Sequence, residues 1–150
     1  MTIKSICFDM DGTIADLYGV EDWLPMLRNE DATPYAIAAP MYDMDVLNNL
    51  LCEFIKRNIE INVISWGSKF SSKEYLEEVR NVKIAWINHY LPCITDINVV
   101  QYGTPKQNFA KYKESVLVDD EKQNLDAWSG RVIDAKQNIL VALENLLSEI

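Results

Sequence analysis

The sequence predicts an α/β protein with a Rossmann-like parallel sheet of about five strands, helices on both faces of the sheet, and a small insertion after the first strand. Three observations lead to this prediction. Short apolar runs rich in β-branched residues recur along the chain, amphipathic helical patterns lie between them, and a long irregular segment follows the first run. Strands that alternate with helices are typical of a parallel sheet with right-handed crossovers.

The predicted strands are short and apolar at successive positions, which is the pattern of strands buried on both faces of a sheet. Turn-prone or acidic residues follow several of them. In chain order the predicted strands cover residues 3–8, 61–64, 97–100, 116–118 and 131–133.

The predicted helices carry apolar residues at the i, i+3, i+4 spacing of one helical face. This spacing predicts helices over residues 43–57, about 72–90 and from 139 to the C-terminus, and a shorter helix over about 121–128. Ser71 or Ser72 is available as the N-cap of the second of these helices, because a serine hydroxyl can accept a hydrogen bond from the first turn.

The irregular segment 14–42 is too long for a plain connection in a compact domain. It contains three prolines, Pro25, Pro34 and Pro40. It also contains the aromatic residues Tyr18, Trp23 and Tyr35, and one short helix is predicted near residues 21–29. We expect residues 1–150 to form a single domain with a small cap or lid insertion at about 14–42, and the three aromatic residues to form a partial substrate lid.

Composition and charge exclude several classes of protein. The chain has 14 basic and 23 acidic side chains, a formal net charge of −9, and 49% hydrophobic residues. This balance argues against a duplex nucleic-acid binder, which needs clustered Lys and Arg. No apolar stretch approaches the roughly 20 residues of a membrane span. The odd number of cysteines and the absence of a visible signal peptide favour a reduced cytoplasmic compartment. The sequence leaves the oligomeric state open.

The strongest functional signal is the run Phe8-Asp9-Met10-Asp11-Gly12-Thr13 at the carboxyl end of the first predicted strand. In open parallel sheets, ligands bind at that end of the strands. Gly12 allows a sharp turn, so that both aspartates can point into one crevice, and a divalent cation would relieve their repulsion. The alternative is a strand-end turn in which Asp and Thr bond to their own backbone.

A second acidic pair, Asp119-Asp120, directly follows the predicted strand 116–118. Either residue could simply cap the helix predicted to begin near residue 121. However, four acids at two strand ends form a cluster that would be unstable without neutralisation. A Mg²⁺ site that uses Asp9, Asp11, Asp119 and Asp120 is the simplest resolution.

Two weaker signals lie in other loops. Ser65 follows the strand 61–64 and precedes Trp66-Gly67-Ser68, and its hydroxyl, with the backbone N–H groups of a Gly-containing turn, could bind a phosphoryl group. Lys106 lies before the Asp119 strand, where a cation would offset the charge of phosphate and carboxylates. The alternatives are surface roles for Ser65 and Lys106. Trp66 could stack on a base or sugar, or could pack in the core.

These motifs, in this order and at these strand ends, resemble the haloacid dehalogenase-like (HAD) phosphohydrolase superfamily. The resemblance implies that Asp9 is a nucleophile that forms an aspartyl-phosphate and that Asp11 is the general acid and base. It also implies that Ser65 and Lys106 hold the phosphoryl group, with Thr13 supporting the first loop. Mg²⁺ would be held by Asp9, the carbonyl of Asp11, and Asp120, with Asp119 nearby or through water.

An acid at position 11 is typical of the phosphatases of that superfamily, because it can protonate the leaving oxygen and then activate water. The short insertion resembles minimal-cap members, among which deoxynucleotide and nucleic-acid-end phosphatases are found. The resemblance therefore implies a Mg²⁺-dependent phosphatase that acts on a small phosphorylated, nucleotide-like substrate. A catalytically silent HAD-like binding or scaffold domain is the main alternative. Response-regulator receiver domains use similar residues, but their acidic pair comes first along the chain and their Lys last.

Overall fold

A computed structural model describes residues 2–150 and contains a five-stranded parallel sheet with the strand order β5-β4-β1-β6-β7. The strands of this sheet are β1 (Ser5–Phe8), β4 (Glu60–Trp66), β5 (Asp96–Val100), β6 (Ser115–Asp119) and β7 (Arg131–Asp134). Each falls on a predicted strand, and the predicted α/β fold class is confirmed. The boundaries differ by one or two residues: Ser65 lies inside β4 and Asp119 lies inside β6, whereas each was predicted to follow its strand.

The helices also fall where the apolar spacing predicts them. They are α3 (Met44–Lys56), α4 (Lys73–Tyr90), α5 (Lys122–Ala127) and α6 (Ile139–Glu149). Ser72 caps α4, because its hydroxyl accepts a hydrogen bond from the Tyr75 N–H at 3.1 Å. Asp119 and Asp120 do not cap α5; the N-cap position is Glu121, which makes no side-chain capping bond.

The core lies on both faces of the central strand β1. Ile6 and Phe8 on one face pack in a cluster with apolar residues of α3, α4 and α6, whereas Cys7 on the other face packs with Leu117 and Trp128. This alternation follows from the side-chain period of two along a strand. Because β1 is the central strand, its carboxyl end lies between those of β4 and β6.

The insertion is a small structured unit. Two short antiparallel strands, β2 (Ala15–Asp16) and β3 (Ala39–Pro40), close its base, and between them lie a 3₁₀ turn (Leu17–Gly19) and the helices α1 (Trp23–Arg28) and α2 (Thr33–Ile37). The sequence predicts only the first helix. Pro34 near the start of α2 explains the second, because proline suits the first turn of a helix, where its missing N–H is not needed.

Helix α4 packs against the insertion. Tyr35 of α2 packs with Tyr75 and Val79 of α4 and is only 3% exposed. The indole N–H of Trp86, further along α4, donates to the carbonyl of Ala38 at 2.9 Å. Within residues 2–150, no helix is both long and apolar enough to cross a membrane.

Candidate active site

The topology brings the predicted site residues to one edge of the sheet. Strand β1 lies between β4 and β6, and Phe8 is in register with Val63 on one side and Val118 on the other. The next residue, Asp9, continues this pattern, because its N–H donates to the carbonyl of Val118 at 2.9 Å. The carboxyl ends of these three neighbouring strands therefore carry Asp9, Ser65 and Asp119.

The loop after β1 is a tight turn that depends on glycine. Gly12 has φ +80°, and a Cβ atom there would lie 2.4 Å from Oδ2 of Asp120. A side chain at this position would thus have both a strained backbone and a clash. The fully buried Thr13 places its hydroxyl 3.0 Å from Oδ2 of Asp9 and 3.3 Å from Oδ1 of Asp120. Thr13 therefore connects the loop that carries Asp9 with the loop that carries Asp120, and its hydroxyl is hydrogen-bonded to both carboxylates.

Lys106 lies at the centre of the site. Its ammonium group is 2.7 Å from Oδ1 of Asp9 and 2.7 Å from Oδ2 of Asp119, and its side chain is only 3% exposed. Burial opposes the charge of this lysine, but the carboxylates of Asp9 and Asp119 raise its pKa above the ordinary value. An ammonium has three N–H donors, so one remains to face a ligand. The expectation of a surface lysine does not hold.

Asp119 makes more hydrogen bonds than its neighbour in the acidic pair. Besides Lys106, it accepts from the Glu121 N–H at 2.9 Å and from the amide of Asn124 at 3.1 Å. Both carboxylate oxygens of Asp119 are thus occupied, whereas Asp120 accepts a side-chain bond from Thr13 at 3.3 Å. Asp119 fixes Lys106, and Asp120 is the more available ligand.

Asp9, Asp119 and Asp120 form an acidic cluster in which one carboxylate oxygen of each lies within 4.8 Å of the others. Burial, followed by the nearby charge of Asp9, raises the pKa of Asp120 to about 8 and also raises that of Asp119. Such mutual repulsion is what a divalent cation relieves, and carboxylate oxygens are the ligands that Mg²⁺ prefers. The donor set therefore fits Mg²⁺.

The Asp11 carboxylate is not part of this cluster. It accepts a hydrogen bond on Oδ2 from the ammonium of Lys83 at 2.8 Å. Oδ1 of Asp11 is buried and has no hydrogen-bond partner within the described residues. Burial raises the pKa of Asp11, while the charge of Lys83 acts in the opposite direction. A metal role for Asp11 is thus left to its backbone carbonyl.

Lys83 is the residue of the site that the motifs do not indicate. It lies on α4, has 0% side-chain exposure, and also donates to Oγ of Ser65 and to the carbonyl of Trp66, both at 2.8 Å. The helical pattern holds one signal for it. Lys83 falls four residues after Val79 and three before Trp86, so a cation occupies the apolar face of an amphipathic helix.

The segment 65–68 differs in part from the prediction. Ser65 is only 1% exposed. Its hydroxyl oxygen accepts a hydrogen bond from Lys83, so the hydroxyl hydrogen is free to donate. The N–H of Gly67, however, donates to the carbonyl of Val100 at 2.7 Å. The N–H of Gly67 is therefore not among the backbone donors of this turn that could bind a phosphoryl group, because the sheet hydrogen bonds extend beyond the end of β4.

A cavity of about 480 Å³ opens above these residues, and it is lined by Asp9, Asp11 and Asp120 together with several aromatic side chains. Tyr18 is half exposed and meets Trp23 edge-on at a centroid distance of 5.0 Å. On another wall, Trp66 contacts Tyr102 at 5.0 Å.

Two of the predicted aromatic residues are held by hydrogen bonds. Trp66 donates its indole N–H to the carbonyl of Thr104 at 2.7 Å and is half-buried in the cavity wall, so its orientation is fixed and it does not lie in the core. Tyr35 is buried in the cavity wall with its hydroxyl 2.6 Å from Oγ of Ser68. Of the three predicted lid residues, only Tyr18 and Trp23 are not buried.

Comparison with known proteins identifies the fold. No protein-family model matches the chain, and no curated protein matches it significantly. Among solved structures, the D,D-heptose 1,7-bisphosphate phosphatase from Burkholderia thailandensis is similar, with a TM-score of 0.58 and 12% sequence identity over 97% of this chain and 99% of that one. The similarity extends over almost the whole of both chains, so the resemblance inferred from the motifs is confirmed at the level of the fold.

Proposed function

We propose that this protein is a Mg²⁺-dependent phosphatase that hydrolyses a phosphate monoester through an aspartyl-phosphate intermediate. One observation carries the proposal: Asp9, clustered with Asp120 and 2.7 Å from the buried Lys106, lines the same cavity as Asp11. A nucleophilic carboxylate, a fixed cation and a second carboxyl group are the parts that covalent phosphoryl transfer requires.

In the first step, a carboxylate oxygen of Asp9 attacks phosphorus, and the bond between phosphorus and the leaving oxygen breaks. Lys106 and Thr13 hold the two oxygens of Asp9 at 2.7 and 3.0 Å and so orient the attack. Asp11 donates a proton to the leaving oxygen. The free hydrogen of Ser65 and the third N–H of Lys106 stabilise the phosphoryl oxygens.

In the second step, Asp11 accepts a proton from a water molecule that attacks the phosphorus of the aspartyl-phosphate. The bond from phosphorus to Asp9 breaks, and inorganic phosphate leaves. Mg²⁺ bound by Asp9, Asp120 and the carbonyl of Asp11 would supply charge neutralisation for the transferring phosphoryl group.

The test measures turnover of an aryl phosphate with Mg²⁺, and binding of beryllium fluoride as a mimic of the aspartyl-phosphate. Wild type should turn over the substrate and bind the mimic, and Asp9→Asn should do neither while remaining folded. Asp134→Asn is the matched control, because this exposed aspartate lies at the end of the edge strand β7. Equal binding of the mimic by Asp9→Asn would contradict the assignment. Binding without turnover of any substrate in a panel of phosphorylated metabolites, nucleotides and phosphopeptides would favour a silent binding domain.

For the substrate class, we propose a nucleotide-like monophosphate. The aromatic residues Tyr18, Trp23 and Tyr102 line the cavity next to the acidic residues, and stacking is worth about 1–3 kcal/mol per base. This is enough to favour a base-bearing substrate by roughly ten- to a hundredfold. The net charge of −9 disfavours polyanions, so monophosphates should react better than triphosphates.

The substrate proposal is tested by comparing kcat/KM for a deoxynucleoside monophosphate and for glycerol phosphate. The preference for the nucleotide should shrink in Trp23→Ala and persist in Phe109→Ala, which removes a partly exposed aromatic residue outside the cavity. If wild type shows no preference, or if a folded Trp23→Ala keeps it unchanged, the aromatic wall is structural.

A further inference from the structure

Lys83 occupies a position where a charged side chain is costly. Its side chain has 0% exposure, and it projects from the apolar face of α4. Moving an ammonium group out of water is strongly unfavourable unless its hydrogen bonds are fully replaced. Packing alone would be served better by Leu or Met, which leave no polar atom to satisfy. A lysine at this position therefore needs a reason other than packing.

The hydrogen bonds of Lys83 indicate that reason. Its ammonium lies 2.8 Å from Oδ2 of Asp11, 2.8 Å from Oγ of Ser65 and 2.8 Å from the carbonyl of Trp66. These bonds use all three of its donors. None is left for a substrate, so Lys83 acts only through the groups that it holds.

We propose that Lys83 is a positioning residue for the reaction: it holds the Asp11 carboxylate and the Ser65 hydroxyl in the orientations that the phosphoryl transfer uses. This inference rests on the proposed phosphatase function. Asp11 follows β1, Ser65 lies on β4, and Lys83 comes from α4, so a single ammonium connects three separate elements of the fold.

The effect on Asp11 is to distinguish its two oxygens. Lys83 engages Oδ2, while the buried Oδ1 has no partner within residues 2–150. A buried polar atom without a partner is unfavourable. Lys83 therefore fixes the Asp11 carboxylate through one oxygen and leaves the other unbonded, while the residue lines the cavity.

The effect on Ser65 is to fix its direction of donation. Because its Oγ accepts from Lys83, the hydroxyl hydrogen must point elsewhere, and this hydrogen is the one that a phosphoryl oxygen would accept. The ring of Tyr35 lies 4.5 Å from the Lys83 ammonium, and the hydroxyl of Tyr35 bonds to Ser68. The insertion thus covers the lysine and holds it in place.

The test exploits the different demands of two leaving groups. An alkyl phosphate needs a proton on its leaving oxygen, whereas a nitrophenyl phosphate departs readily without one, so misplacing Asp11 should penalise the alkyl substrate more. We expect Lys83→Met to lower kcat/KM for the alkyl phosphate by roughly 10²-fold, at the low end of a general-acid effect, and for the nitrophenyl phosphate by less than about tenfold. Lys73→Met, at the exposed start of α4, is the matched control and should change neither value.

A double-mutant cycle separates positioning from a general loss of structure. If Lys83 acts through Asp11, adding Lys83→Met to Asp11→Asn should change the alkyl kcat/KM less than about threefold, because effects of residues that act together are not additive. The double variant also removes both charges of the buried pair, so it should fold even where Lys83→Met does not. Additive losses, or equal losses for both substrates, would overturn the assignment of Lys83 to Asp11, because a loss through Ser65 alone would weaken both substrates alike.

Crystal structures of wild type and Lys83→Met, or Lys83→Gln if the Met variant does not fold, provide a readout that is independent of activity. The Asp11 carboxylate should leave its wild-type position in the variant. If it stays in place, Lys83 does not position it, whether or not the protein is a phosphatase. If wild type hydrolyses neither substrate and yet Asp11 moves, the proposed function fails while the role of Lys83 in holding Asp11 stands.

Discussion

Removing the Lys106 ammonium should destabilise the protein more than removing any exposed lysine. In Lys106→Met, Asp9 and Asp119 lose a cation 2.7 Å from each of them. The Asp119 side chain is completely buried and cannot turn to water, although it keeps its bonds to Glu121 and Asn124. Breaking a buried pair by removing one partner costs about 3–5 kcal/mol, because the remaining charge is uncompensated.

Urea unfolding in the presence of a chelator measures this loss without a contribution from bound metal. With an m-value of about 2 kcal/mol/M, the midpoint should fall by roughly 2 M at unchanged m. Lys122→Met is the control, because Lys122 pairs with Asp126 on the exposed face of α5. That pair should contribute less than about 1 kcal/mol.

A second variant tests the cause. Lys106→Met/Asp119→Asn removes a carboxylate together with the cation, so it should recover part of the free energy of unfolding that Lys106→Met loses. If the urea midpoint of Lys106→Met shifts no further from wild type than that of Lys122→Met, the reasoning is refuted. A double variant no more stable than Lys106→Met would show that packing, and not charge, explains the loss.

Three further outcomes follow from the acidic cluster. Chelation should abolish phosphatase turnover, and Mg²⁺ should restore it and raise the melting temperature. Ca²⁺ should substitute poorly, because its looser coordination suits in-line attack less well. Full activity in excess chelator would exclude a metal requirement. Because the folded-state pKa of Asp120 is raised to about 8, the metal-free protein binds a proton there more tightly than the unfolded chain does. Its melting temperature should therefore fall as pH rises from about 4 to 8, and Asp120→Asn should flatten that profile. Gly12→Ala should lower the free energy of unfolding in urea by about 1–2 kcal/mol, because φ is positive at this position. Its clash with Asp120 should also reduce turnover. Unchanged stability and turnover would show that the turn tolerates a side chain.

Local pattern was sufficient to predict the elements that repeat a simple period. Helix α3 was predicted at 43–57 and spans Met44–Lys56, because its apolar face is continuous and Asp43 caps its first turn. The five strands were predicted from their β-branched runs, and their shared carboxyl edge followed from the topology that parallel strands impose. The juxtaposition of Asp9 with Asp119 and Asp120 could be inferred for the same reason.

Hydrogen bonds between distant segments could not be inferred in this way. The N–H of Gly67 donates to the carbonyl of Val100, so one backbone donor of the turn that was expected to bind phosphate is used by the sheet. Tyr35 was expected in a lid but is buried against α4, because α2 adds a helix that the proline-rich sequence did not predict.

Lys83 illustrates the limit most clearly. On the helix it is a cation on an apolar face, and what satisfies its charge is Asp11, 72 positions earlier in the chain. The sequence by itself determined the parallel α/β fold and the acidic edge of the sheet, because both depend on local periodicity and strand polarity. Only the tertiary structure decided which carboxylate pairs with which lysine, because the stability of a buried charge depends on partners that folding brings within hydrogen-bond distance.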